Sequence, residues 1–341
     1  MSLDIATRPQ VRVLVVDDSA FMRTALSRMI DSESGFEVVA TACTGTEALG
    51  KIASFDPDVV TLDVQMPGLD GLETLRCIMA QSPRPVIMVS SATEKDAEIT
   101  FNALCAGAFD YVPKHLSPAS LDILHIRQDL IAKIWAAAQA RRSASPGPFS
   151  RRLCGSSAFA DQNGSSISPA IVALGTSTGG PRALQEILPL FPCDLSVPIL
   201  IVQHMPSGFT APFAHRLNSL CSVAVREATH QEPIRPGVAY IAPAGKHMTV
   251  ERTSDGRAAI CLHSHPGNYP HIPSVDFMMK SVAETYRNLA MGVIMTGMGS
   301  DGAEGMRAIQ LQGGITIGQD EATCAVYGMP RACAELEHFS C

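Results

Sequence analysis

Ser177 stands in Gly175-Thr-Ser-Thr-Gly179-Gly180-Pro181, directly after the apolar run Ile171-Val-Ala-Leu174. G-x-S-x-G is the spacing of a nucleophilic serine presented on a tight strand-to-helix turn. Glycine tolerates the backbone angles of such a turn and leaves the hydroxyl uncovered. A helix opening at Pro181, where a missing N–H is harmless, directs unpaired N–H groups at an oxygen anion. The same glycines suit a phosphate cradle, so the turn alone admits both uses. His204 follows the apolar run Val197-Pro-Ile-Leu-Ile-Val202, and Asp301 lies in Thr296-Gly-Met-Gly-Ser-Asp-Gly302 after Met291-Gly-Val-Ile-Met295. Singly, a strand-end histidine is a structural hydrogen-bonder and an aspartate before a helix is an N-cap. Jointly, a serine, an imidazole and a carboxylate past three strands predict a hydrolytic triad. His204 would take the serine proton, and Asp301 would orient the ring and stabilise its charged form. Backbone N–H groups near Thr178 and Met298 are candidate oxyanion donors.

A second set of chemistry-bearing residues precedes this one. Asp17 and Asp18 end Val11-Arg-Val-Leu-Val-Val16, Asp63 ends Asp58-Val-Val-Thr-Leu62, Ser90 ends Pro85-Val-Ile-Met-Val89, and Lys114 follows Phe109–Val112. Aspartates alone could simply end strands or cap helices. Three carboxylates converging on one point repel unless a cation sits among them, and oxygen ligands suit Mg²⁺. A lysine and a hydroxyl beside them complete a site for phosphoryl transfer.

These residues need parallel sheets to bring them together. Helical segments follow each strand: one carrying Phe21, Met22, Ala25, Leu26 and Met29, then Thr44–Ser54, Gly71–Ser82, Lys95–Ala106 and one from about Ser117. Strict strand–helix alternation predicts a doubly wound α/β sheet, with its functional crevice beyond the carboxyl ends of the strands. Asp129–Arg142 continues a helix with Ile131, Ile134 and Trp135 at helical spacing, Trp135 as packing. Ser, Pro, Gly and Arg then dominate, as in Ser143–Pro148 and Asn163–Ser166, with Arg141-Arg142 and Arg151-Arg152 read as solvated linker charge. From 168 the alternation restarts: a helix with Ala183, Leu184, Ile187 and Leu188 on its buried face, another over Ala303–Leu311, and a last strand at Ile315–Gly318. The expected organisation is therefore 10–128 as a first domain, 129–167 as a helical and flexible linker, and 168–341 as a second domain.

The 341 residues suffice for two or three cores, and the net charge of −7 argues against a nucleic-acid-binding output. Ten cysteines lie singly, without C-x-x-C, as expected of reduced thiols in the cytoplasm. No leader-like or membrane-spanning apolar run is present in the sequence, so a cytoplasmic protein without direct membrane insertion is expected. His263-Ser-His265 and His271 have spacing that can bind metal, but they fall in a Gly/Pro loop with no acidic or cysteine ligand nearby. His247 is read as structural.

On Asp17-Asp18, Asp63 with Met66-Pro67-Gly68, Ser90 and Lys114, residues 10–128 resemble a flavodoxin-like receiver domain of a two-component response regulator. The resemblance implies Asp63 as phosphoacceptor from a histidine kinase, Mg²⁺ held by Asp17, Asp18 and Asp63, and Ser90, Tyr111 and Lys114 as the switch. Lys114 is flanked by Pro113 and His115, where the family usually has proline after the lysine. Residues from 168 onward run Ser, His, Asp, unlike the Ser, acid, His order of α/β-hydrolases. They resemble the catalytic domain of the chemotaxis methylesterase (CheB) family, a Rossmann-like fold. The resemblance rests on Gly175–Pro181, Gln203-His-Met-Pro206, Arg235-Pro-Gly237, Ala242-Pro243, Pro273-Ser-Val-Asp276, Thr296–Gly302 and Tyr327-Gly-Met-Pro330. It implies a monomeric protein-glutamate methylesterase with Ser177 as nucleophile, His204 as base, Asp301 as orienting acid and Thr178 and Met298 in support. The substrates implied are γ-methyl glutamate esters on chemoreceptor cytoplasmic helices, with methanol released and no cofactor needed. Deamidation of receptor glutamines is the same acyl chemistry. Ser300 stands where asparagine is frequent, and the short stretch after Pro330 implies an abbreviated closing element. Both domains in one chain imply a receiver that shields Ser177 until Asp63 is phosphorylated. The alternative is a response regulator whose second domain only binds a partner or nucleotide, and this reading leaves His204 and Asp301 without a purpose.

Overall fold

A computed structural model describes residues 10–90, 94–114, 120–143, 168–254, 256–264, 269–336 and 339. Of the sequence expectations, His115, the linker from residue 144 onward, Arg151, Arg152, Asn163–Ser166 and His265 lie outside these residues. The chain divides into two units, Met1–Ser143 and Ala144–Cys341.

Unit 1 alternates β1 (Val11–Val16), α1 (Ala20–Asp31), β2 (Phe36–Ala42), α2 (Gly45–Phe55), β3 (Val59–Asp63), α3 (Gly71–Gln81), β4 (Val86–Ser90), α4 (Glu94–Cys105), β5 (Asp110–Pro113) and α5 (Ser120–Ser143). Its sheet has the order β2-β1-β3-β4-β5, all pairs parallel. Strands covered on both faces are largely apolar, hence the runs 13–16 in β1 and 86–89 in β4. Local signals set the helix starts: Ser19 accepts from the Met22 N–H, and Asp70 and Glu73 form a capping box. The chain order reverses at β1/β3, where Asp17 and Asp63 end their strands.

α5 runs unbroken to Ser143 and sends Leu130, Ile134, Ala137 and Ala138 into the same core as Val11, Val13 and Val15. Trp135 meets Phe36 edge-on, with ring centroids 5.9 Å apart. Residues 129–143, expected in the linker, are thus the second half of the first unit's last helix. They stay helical because the apolar spacing at 130, 134 and 137/138 continues one buried stripe.

Unit 2 contains β6 (Ile171–Thr176), α6 (Gly180–Ile187), β7 (Ile199–Gln203), α7 (Thr210–Leu220), β8 (Ala224–Glu227), β9 (Glu232–Pro233), β10 (Val238–Ile241), β11 (His247–Arg252), β12 (Ala258–His263), α8 (Val275–Tyr286), β13 (Ala290–Ile294), α9 (Ala303–Leu311), β14 (Ile315–Gly318) and α10 (Met329–Glu335). A six-stranded parallel sheet has the order β14-β13-β6-β7-β10-β8. An antiparallel sheet, β11-β12-β9, lies outside the strand–helix alternation that the sequence predicts. Helix α8, with Val275, Met278, Met279, Val282 and Ala283 buried, is a central element of the core. α10 buries Met329, Pro330 and Cys333, and Phe339 packs against the same core at Gly318, so the short segment after Pro330 supplies a packed closing element. Among the described residues, no helix is long and apolar enough to cross a membrane.

Candidate active site and phosphoacceptor site

The strand order puts β13, β6 and β7 side by side, and the three loops that carry Asp301, Ser177 and His204 leave their carboxyl ends. Register fixes the spacing: Ile294 pairs with Gly175, and Thr176 pairs with Gln203. The ladder continues past the strands, with the Ser177 N–H donating to the Thr296 carbonyl (3.0 Å) and the His204 N–H to the Thr176 carbonyl (3.1 Å). Gln203 ties the two loops, its Nε2 donating to the carbonyls of Ser177 (2.9 Å) and His204 (2.8 Å). Gly179 has φ +77°, and a Cβ there would lie 2.5 Å from that of Ala325. A side chain is therefore excluded at the turn both by conformation and by space.

Asp301 lies 2.8 Å from His204, Oδ2 to Nε2. Its Oδ2 also accepts from the Val275 N–H (2.8 Å), and its Oδ1 accepts from the Ser274 hydroxyl (2.9 Å) and the Asp276 N–H (3.0 Å). Asp301 thus closes the N-terminus of α8, and Gly302 is the N-cap of α9. Burial pushes the carboxyl up, but the His204 ring and the Asp276 and Val275 N–H groups outweigh it and hold it down at about 2. With Nε2 committed to Asp301, the opposite ring nitrogen of His204, Nδ1, is buried and has no partner among the described residues. Asp301 as acceptor assigns the ring proton to Nε2 and leaves Nδ1 a lone pair.

Ser177 is half-buried at the turn, and no hydrogen bond joins its hydroxyl to His204. Thr178 is buried and its carbonyl accepts from the Thr296 hydroxyl (2.9 Å). Met298 is half-buried in the loop clamped by Gly297, whose N–H donates to Val326 and whose carbonyl accepts from Gly328 and Met329. Among the described residues, the N–H groups of Thr178 and Met298 have no acceptor.

Sequence reasoning passed over Gln203, Ser274 and Asp276 as site residues. Ser274, followed two residues later by an acid and by Val275, Met278, Met279 and Val282 at helical spacing, is an N-cap signal in the chain itself. His271 also acquires a different setting: its ring stacks on that of His204, centroids 4.2 Å apart at 21°. His263 hydrogen-bonds Thr249 (2.7 Å), and the Nδ1 of buried His247 accepts from the Ser274 N–H (3.1 Å).

In unit 1, carboxylate oxygens of Asp17, Asp18 and Asp63 lie within 4.8 Å of one another. Asp17 and Asp63 are buried and Asp18 is exposed. Lys114 Nζ bridges Asp17 Oδ2 (2.9 Å) and Asp63 Oδ2 (2.6 Å). Burial, opposed by Lys114 and aided by the Asp17 charge, pushes the Asp63 carboxyl up to about 6. Burial lowers the Lys114 pKa, but bonds to Asp17 and Asp63 outweigh it and raise it. Ser90 accepts from the Thr100 hydroxyl (2.8 Å). Tyr111 is buried, edge-on to Phe101, with Lys133 Nζ 5.3 Å from its ring centroid. A close set of three anionic oxygens open to solvent at Asp18 fits a hard divalent cation.

Family models of the response regulator receiver domain and the CheB methylesterase match residues 13–124 and 172–340. A protein-glutamate methylesterase/protein-glutamine glutaminase 1 of Oleidesulfovibrio alaskensis is 45% identical over 94% of this chain and 93% of its own length. The corresponding protein of Bacillus subtilis is 44% identical over 94% and 92%. The crystal structure of the Thermotoga maritima CheB methylesterase catalytic domain is 39% identical, covering 51% of this chain and 92% of that chain with a TM-score of 0.49. Identity of this degree over nearly the full length of both chains shows that this chain belongs to the protein-glutamate methylesterase/protein-glutamine glutaminase family, with a receiver unit ahead of the CheB methylesterase unit.

Proposed function

We propose that this chain is a phosphorylation-controlled hydrolase of glutamate γ-methyl esters on the cytoplasmic domains of chemoreceptors, and that it deamidates receptor glutamines at the same site. The observation that carries the reading is the His204 ring, held by Asp301 through Nε2 while Nδ1 is buried and unpartnered. A ring so held is a base waiting for a hydroxyl. Ser177 Oγ attacks the ester carbonyl carbon as its proton passes to Nδ1 of His204. The N–H groups of Thr178 and Met298 receive the negative charge on the carbonyl oxygen. Collapse expels the methoxy group, which takes the proton from His204 and leaves as methanol. Water, deprotonated by His204, then releases the glutamate carboxylate from Ser177. With a glutamine substrate ammonia leaves instead.

Control resides in unit 1. Asp63 would accept the phosphoryl group from a histidine kinase, and Lys114 would stabilise its oxygens. Asp17, Asp18 and Asp63 would hold Mg²⁺, which when bound neutralises the carboxylates and the charge on the phosphoryl group. Ser90 and Tyr111 are the proposed switch residues. The proposed hydrolysis calls on no cofactor, and the proposed substrate, the cytoplasmic domain of a receptor, puts the reaction in the cytoplasm.

The test is methanol release from a γ-methylated receptor cytoplasmic fragment by the full chain, with and without a small phosphodonor and Mg²⁺. Methanol release that rises with the phosphodonor is expected. An enzyme that leaves the methyl ester intact under both conditions would overturn the reading.

A further inference from the structure

Helices α8 and α9 exchange their N-terminal caps. Asp301, which precedes α9, accepts the Val275 and Asp276 N–H groups at the start of α8. In return Asp276 Oδ1 accepts from the N–H of Gly302 (3.0 Å) and Gly305 (2.7 Å) at the start of α9. Gly302 is the residue next to Asp301, so Asp276 grips the peptide that carries the orienting carboxylate. The grip is needed because Gly302 sits at φ +104° and its α9 has no side-chain cap of its own. The two carboxylates repel, and burial together with the Asp301 charge raises the Asp276 carboxyl, opposed by the Gly305 N–H. A buried acid beside a half-buried one is stable where each receives the partial positive end of the other's helix.

The geometry points to Asp276 as a positioning residue of the catalytic centre: through Gly302 it fixes where Asp301 stands, and through Asp301 the orientation of His204. This rests on the hydrolase reading above. Asp276 touches neither substrate nor the reacting atoms. Its removal leaves the Gly302 and Gly305 N–H groups without their acceptor and frees the Asp301 peptide to shift. Displacements of about 1 Å in a catalytic group lower turnover roughly 100-fold. Binding of substrate does not pass through this contact, so the loss falls on kcat and leaves KM alone.

The experiment uses the full chain and two readouts. Labelling by a fluorophosphonate reports Ser177 reactivity whatever the natural substrate, and its end point counts reactive serines; methanol release per labelled serine gives kcat and KM. Asp276→Ala is expected to slow both labelling and kcat roughly 10–100-fold per reactive serine with KM unchanged. Asp276→Asn keeps an oxygen that accepts both N–H groups and is expected to stay within a few-fold of wild type. Asp276→Ser, whose hydroxyl is too short to span both, falls between and stands in if the alanine variant does not fold. Wild-type labelling and kcat per serine in Asp276→Ala, or an asparagine variant as slow as alanine, would overturn the assignment. Wild-type enzyme that is labelled at Ser177 yet releases no methanol would sink the substrate reading while leaving this inference tested by labelling alone.

Discussion

Asp63 ends a parallel strand and Asp301 lies in the loop after one, buried to 3% and 9% exposure, each where the strand order of a sheet reverses. Their acidities diverge: the carboxyl of one is pushed up to about 6 and that of the other held down at about 2. Burial acts the same way on both, so the donors decide. Asp63 accepts one backbone N–H, from Gln65 (3.2 Å), shares Lys114 with Asp17, and faces the Asp17 carboxylate. Asp301 accepts two backbone N–H groups, a hydroxyl and the His204 N–H. Asp301, which the proposed mechanism keeps an anion throughout turnover, is surrounded by fixed donors. Asp63, the proposed phosphoacceptor, has fewer such donors and the Asp17 and Asp18 carboxylates beside it.

The contrast can be broken from either end. The largest effect is expected at Ser177: Ser177→Ala lowers kcat for methanol release by about 10⁴-fold or more, the scale of triad removals elsewhere. Asp301→Asn places an amide against His204 and reverses the ring's preferred tautomer, so a loss of roughly 10³–10⁴-fold in kcat is expected. Asp63→Asn is expected to leave phosphodonor-independent methanol release in place and abolish its rise with phosphodonor; a retained rise would locate the switch elsewhere.

The smallest effect is on stability. Asp63 has its folded pKa raised, so its contribution is fully present below about pH 4 and lost as pH rises through about 6. Asp301 has the opposite sign: its contribution is present above the ordinary aspartate range and lost only as pH falls through about 2. Without Mg²⁺, unit 1 is expected to lose stability between pH 4 and 6, and Asp63→Asn to remove that loss. A gain of up to about 3 kcal/mol at pH 7 follows from the shift, reduced by the loss of the Lys114 contact. Denaturant melts of wild type and variant at pH 4.5 and 7 measure it.

Much of this was legible in the chain because parallel strands buried on both faces write themselves as apolar runs, and chemistry-bearing residues at their ends stand out. β1, β3, β4, β6 and β13 are of this kind, and so are Asp17, Asp63, Ser177 and Asp301. Adjacency of β13, β6 and β7 was not legible, since it depends on which strands pair and not on any local run. The antiparallel strands β11 and β12 have one face against the core and mixed residues on the other, so their pattern is weak. α8 carried a readable start at Ser274, but Pro270 and Pro273 immediately before it read as loop. The exchange between Asp276 and Asp301 spans 25 residues and belongs to packing alone. The extension of α5 through Ser143 was legible as helix, and its membership of the first core was not.

In the proposed mechanism Ser177 Oγ is the atom that attacks the ester. Quenching turnover of a γ-methylated receptor fragment with acid and mapping the enzyme by mass spectrometry tests this directly. An adduct on Ser177 with the mass of the fragment less methanol, formed faster with phosphodonor, is expected. A burst of methanol with the adduct on another residue, or with no adduct on Ser177, would contradict it.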